Sequence, residues 1–170
     1  MKGSPTVLLL LFVDGDDIVQ RDTIGEELQA LAPAFVNKRT GQAFLGYLDA
    51  QRRGLVGDRH ATRTRELSER HGYDTKYAMH ALRIAVQGIE LVTERRITLP
   101  VPEPHRARLM AVRRGEPSLD EVVEELDRSS AALAELIENS DLPATPDAAR
   151  VDRFLVDAYE RAWSARAAGA

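Results

Sequence analysis

The sequence predicts an all-α protein, a helical bundle of about six to seven helices with at most one short strand or extended crossover. Three observations carry that expectation. Apolar residues recur at helical spacing through most of the chain, two Ser/Thr-x-x-Glu capping patterns open periodic segments, and prolines stand between segments rather than inside them. The 170 residues suit one ordinary domain, and 44% apolar with 29% charged residues is a globular balance. We therefore expect a single helical domain over 1–170, with 165–170 as a frayed tail.

Taken in order, Ser4-Pro5 is a helix-start pair, and PTVLLLLFV should bury as one continuous element ending in the turn-like Asp14-Gly15-Asp16-Asp17. Thr23 with Glu26 reads as a capping box opening TIGEELQAL, and Pro33 should stop that segment. NKRTGQAFLGYLDAQRRGL follows, with Ala43, Phe44, Tyr47, Leu48 and Leu55 near core spacing. The charged stretch GDRHATRTRELSERHG leads to DTKYAMHALRIAVQGIELVTERR, for which Asp74 is the natural cap. ITLPVPEP should be extended, and HRARLMAVRRGE a brief helix. Ser118 and Glu121 form a second capping box, after which Leu119, Val122, Val123, Leu126, Ser130, Leu133 and Ile137 trace one face. SDLPATP is a loop; Thr145-Pro146 should then start a last helix with Val151, Phe154, Leu155, Ala158 and Ala162 inward.

Composition removes several classes of function. Without cysteine there are no disulfides or thiolate metal sites, and four histidines without a His-x-x-x-His pair give no zinc pattern. A net charge of −4 means that nucleic-acid binding would need a local basic patch. Val7–Val13 is too short to span a bilayer, and the acids after it spoil a signal peptide, so a cytoplasmic protein without membrane contact is expected. Trp163 reads as a packing or dimer-contact residue rather than a base-stacking platform.

The chemistry-bearing pattern lies on the helix after Asp74. Lys76, His80, Arg83 and Gln87, at steps of four, three and four, fall within an arc of roughly 60° opposite the apolar face. Glu90 and Glu94 continue the stripe. Cations at the start and acids at the end oppose the helix dipole, which invites an anion there. Lys76 and Arg83 would suit a phosphate chain, with His80 between them. The same spacing fits a solvated face whose cations pair with acids of a neighbouring helix.

One stretch imitates an active site. Gly3-Ser4 followed by Asp14-x-Asp16 matches the pattern in which a Gly-Ser turn cradles a triphosphate and two carboxylates on a strand hold metals. The physical reading rejects it, because the residues between contain no glycine and no polar group except Thr6, and Gly15 favours a turn. As a calcium loop it fails too, since the twelfth position is Gly25.

HGYDTKYAMHALRIAVQGIELV, RLMAVRRGEPSLDEVVEELD and LPATPDAARVDRFLVDAYER together resemble the predicted nucleotidyltransferases of the DNA polymerase β superfamily from bacteria and phages, some linked to RNA repair. Tyr73-Asp74-x-Lys76, His80, Arg83 and Arg114-Gly115-Glu116 carry the likeness, which runs from about Gly3 to about Arg161. KGSPTVLLLLF is similar to the helix after that family's catalytic sheet, with Ser4-Pro5 where Asn-Pro is common and Leu9 near a position that often holds glutamate. The resemblance implies a C-terminal helical portion whose metal-binding carboxylates, and the Mg2+ ions they hold, lie elsewhere, so no catalytic or metal residue is assigned here. It implies NTP as substrate, Lys76 and Arg83 on phosphate oxygens, His80 and Tyr73 hydrogen-bonding the nucleotide, and Asp74 capping the helix and orienting Lys76. Expected partners are NTP, RNA, a catalytic N-terminal domain or separate subunit, or a second copy of the chain. A non-catalytic NTP/RNA-binding or partner-docking module satisfies the same residues, and the apolar run Leu8–Leu11 would in that case dock on the partner.

Overall fold

A computed structural model describes residues 9–13, 15–57 and 65–168. Seven α-helices follow in order: α1 Thr23–Ala30, α2 Lys38–Val56, α3 Arg65–His71, α4 Thr75–Glu94, α5 His105–Arg113, α6 Leu119–Asn139 and α7 Ala148–Ala168. Short 3-10 turns lie at Leu9–Phe12, Gly15–Asp17 and Ala32–Phe35. No strand occurs among the described residues, so the all-α expectation holds. ITLPVPEP is the irregular crossover between α4 and α5.

The core is the three-way contact of α2, α4 and α6, with α5 also packed on α4. Phe44 and Leu48 from α2, Ala81, Ile84, Ala85 and Leu91 from α4, and Val122, Leu126 and Leu133 from α6 are all sealed from water. Two glycines allow the close approach. A Cβ on Gly88 of α4 would lie 3.1 Å from both Phe44 and Leu133, and one on Gly41 of α2 would meet Ile137 at 2.8 Å. Small residues at the crossing let the backbones pack at the density of a protein interior.

Helix ends explain the boundaries. Ser118 accepts from the Glu121 N–H while Glu121 accepts from the Ser118 N–H, a complete capping box. Asp74 accepts from the Tyr77 N–H at 3.0 Å, as its position in the sequence predicts. The first amides of α2 are closed by Asn37, which accepts from Thr40 N–H, and by the carbonyls of Pro143 and Ala144. Lys38 in turn donates to the Glu138 carbonyl at the end of α6, where a cation suits the dipole.

Several local expectations are corrected. Asp22, not Thr23, caps α1, because its carboxylate reaches the Gly25 N–H at 2.8 Å. Ala43 is exposed, on the solvent side of α2. The last helix starts at Ala148 with Asp147 accepting from the Arg150 N–H, leaving Thr145-Pro146 in the loop. Its inward residues are only half-buried at Val151, Phe154 and Ala158, while Leu155 and Ala162 face solvent. The helix continues through Ala168.

In the opening stretch, Leu9–Phe12 is a 3-10 turn rather than part of a continuous buried helix. Phe12 leans on the core, but Leu10 is 66% exposed because the turn lies over the surface and presents one side outward. Gly3-Ser4, the remainder of that apolar run to Leu8, and Asp14 lie outside the described residues, as do Arg59 and Arg63 of the charged stretch.

Candidate functional site

Where α4 begins, Tyr73 is buried and its hydroxyl donates to the Pro117 carbonyl at 2.8 Å. Burial raises the Tyr73 pKa. This residue ties the start of α4 to the turn before α6, so it supports the helix from beneath. Gly115 in that turn has φ +73 and lies against His71, a close approach open only to glycine. Thr75 is fully buried and accepts from Arg113 Nη1 at 3.2 Å. Lys76, next in sequence, projects into solvent.

One turn on, the polar residues interlock. Arg83 Nη2 donates to His80 Nδ1 at 3.0 Å, and His80 Nε2 lies 3.2 Å from the Tyr47 hydroxyl on α2. Arginine has only donors, so Nδ1 must be the acceptor and the ring proton sits on Nε2, donating to Tyr47. Burial, and then the neighbouring Arg83 charge, lower the His80 pKa, which keeps the ring neutral at physiological pH. The rings of Tyr47 and His80 meet edge to face at 5.9 Å.

The stripe does not lie opposite the apolar face. It runs along the border where α4 meets α2, so its members differ in depth: Lys76 exposed, His80 and Arg83 half-buried, Gln87 only 1% exposed. Arg83 Nε and both amide atoms of Gln87 are buried without a hydrogen-bond partner, as is Gln51 Oε1 on α2. With Gly54 against Tyr77 and Phe44 against Gly88, the antiparallel register sets Gln51 level with His80 and Ala81. A buried polar seam thus continues under the cationic edge. Sequence spacing found His80, Arg83 and Gln87 but took Gln87 for surface and Tyr47 for core alone. Gln51, one turn beyond Tyr47, was missed; its signal is a polar residue in phase with Phe44 and Leu48.

Charge balance separates this edge from other basic segments. Among the described residues, neither Lys76 nor Arg83 forms an ion pair. By contrast three of the cations around α5 are neutralised locally, Arg106 by Glu103, Arg108 by Glu125 and Arg114 by Glu116, while Arg113 donates to the Thr75 hydroxyl. Glu90, expected on the same stripe, instead accepts from the Thr98 N–H at 3.0 Å and pins the crossover.

A divalent ion finds no fit here. No group of three or more His, Asp or Glu side chains able to hold a metal occurs among the described residues. Asp16 stands exposed on the Gly15–Asp17 turn, not on a strand. No described helix is long and apolar enough to cross a membrane.

Neither the curated proteins nor the solved structures contain a match to the chain. Residues 1–157, however, match the profile described as RlaP: RNA repair pathway DNA polymerase beta family. That span includes the capped start of α4, the His80–Arg83 pair and the Arg114-Gly115-Glu116 turn, and the chain belongs to the RlaP family of the RNA repair pathway DNA polymerase beta group.

Proposed function

We propose that the edge formed by Lys76, His80 and Arg83 holds the triphosphate of an NTP for nucleotidyl transfer. The observation that carries this reading is Arg83: a half-buried guanidinium fixed by a neutral histidine rather than by a carboxylate. His80 takes one N–H and sets the plane of the group. Nε is sealed from solvent, so Nη1 and the remaining Nη2 hydrogen would supply the donors for phosphate oxygens. Lys76, about two helical turns away, adds a mobile point charge. Asp74 already occupies the Tyr77 amide at the helix start, so side chains rather than the helix terminus supply the anion binding. Tyr73 positions the helix instead of touching the nucleotide.

Family membership supports a nucleotide substrate and divalent-ion chemistry. The described residues contribute binding and orientation to that chemistry, with RNA as the acceptor class that the RNA-repair description favours. The alternative, a module that binds NTP without turning it over, rests on the lack of a grouped metal-ligand set among the described residues. Calorimetric titration of NTPs into the parent chain, Lys76→Ala and Arg83→Ala separates these outcomes from failure of both. Binding that weakens about tenfold in each variant supports the phosphate edge. No binding by the parent at millimolar NTP overturns it. Metal-dependent incorporation of labelled nucleotide then distinguishes an enzyme from a binding module.

A further inference from the structure

The last helix has two apolar faces, and only one is used. Val151, Phe154, Ala158 and Arg161 turn toward the body of the protein, where Arg161 pairs with Glu27 of α1 and Arg150 reaches the Ala30 carbonyl. On the opposite side stand Leu155, Val156, Tyr159 and Trp163, exposed by 45, 59, 58 and 63%. The Tyr159 and Trp163 rings lie 5.7 Å apart and make one apolar slab. Tyr159, Trp163 and Arg166 fall beyond the residues matched to the family, 1–157, so the family match does not account for them.

The stripe has a definite period. Asp152, Val156, Tyr159, Trp163 and Arg166 are spaced four, three, four and three, the 3.5-residue repeat of a helix that packs along another helix. They occupy an arc of about 80° on the wheel. An acid begins the stripe and a base ends it, and neither Asp152 nor Arg166 is in an ion pair among the described residues.

That order of charges selects the occupant. We propose that α7 pairs antiparallel with α7 of a second copy of this chain, with the two-fold axis near Tyr159. The positions 152 and 166 are equidistant from 159, so Asp152 of each copy meets Arg166 of the other at both ends. Leu155 meets Trp163, and Val156 packs beside it. A parallel pair would instead set Asp152 against Asp152 and Arg166 against Arg166, which charge repulsion disfavours. Glu160 flanks the seam and comes near its own copy at the axis; at a solvated rim that repulsion is small and screened by salt. The self-complementary patch is what a two-fold interface requires. A single-helix seam lies at the small end of stable interfaces, so the dimer should dissociate in about the micromolar range.

The test is sedimentation equilibrium of the full chain from about 1 to 200 µM, the window expected for such an affinity. The parent should pass from monomer to dimer. Trp163→Glu should weaken the dimer on the order of a hundredfold, since it buries a charge in the apolar seam one turn from the axis. Asp152→Arg should weaken it about tenfold, and the double exchange Asp152→Arg/Arg166→Asp should restore it. Helical circular dichroism equal to the parent's confirms that each variant is folded. A parent that stays monomeric throughout overturns the proposal. So does a dimer indifferent to Trp163→Glu. A dimer weakened by Trp163→Glu but unmoved by Asp152→Arg overturns the antiparallel pairing.

Discussion

Arg83 is oriented by His80 through a 3.0 Å contact in which the guanidinium donates and the imidazole Nδ1 accepts. The geometry exists only while His80 is neutral, because a protonated ring has no acceptor and would place two cations side by side. The cationic edge is therefore tied to a titration.

The first consequence is a pH dependence. The folded pKa of His80 lies below the ordinary 6.5, so the unfolded chain takes up the proton first. The contribution of His80 to stability is present above pH 6.5 and lost as the pH falls from 6.5 through the lowered folded value. Urea midpoints measured from pH 8 to 5 should fall on the acid side for the parent and fall less for His80→Gln. Equal slopes in the two proteins would refute the assignment.

Gln87 carries a cost of another kind. Its amide is buried with neither atom bonded, so Gln87→Leu should raise stability by about 1 kcal/mol in a denaturant titration. A loss of stability would mean that the amide is satisfied by bound water.

Gly88 sets the separation of the central helices. Gly88→Val should cost about 1–3 kcal/mol by pressing Phe44 and Leu133 apart. Phe44→Leu added to it should cost less than the sum of the two single changes, because the smaller side chain admits the new methyls. Strict additivity in thermal unfolding would show that the strain is taken up elsewhere.

The caps make a matched pair. Ser118→Ala removes one arm of the capping box of α6 and should cost about 1 kcal/mol. At α1, Asp22→Ala should cost a similar amount and Thr23→Ala close to nothing, since only Asp22 holds the Gly25 amide. Urea unfolding of the three variants checks the ranking.

The helices and the caps of α4 and α6 were legible because those signals are local. Asp74 and Ser118 bond to amides three residues on, and the buried face of α6 follows directly from its period. At α1 two adjacent residues were both able to cap; the Thr23-x-x-Glu26 spacing pointed to Thr23, although aspartate is the stronger N-cap and takes the position. The polar stripe of α4 shows the limit of periodicity. A wheel states which residues share a side, but not which neighbour lies there. Lys76 to Gln87 do share a side; the arrival of α2 against it, set by Phe44 and Gly88, decides that Gln87 is sealed while Lys76 is wet. The same reason explains α7, where Leu155 has the right spacing for a core and no facing helix to make one.

The glycine-lined meeting of α2, α4 and α6 also bears on how the chain opens. Most of the sealed side chains lie in those three helices, whereas α7 is attached at a few points near α1. Backbone amides around Ala81–Leu91 should then exchange with deuterium only when the entire domain unfolds, while those beyond Phe154 exchange through a detachment of α7 alone. Such a molecule has a permanent centre and a releasable arm.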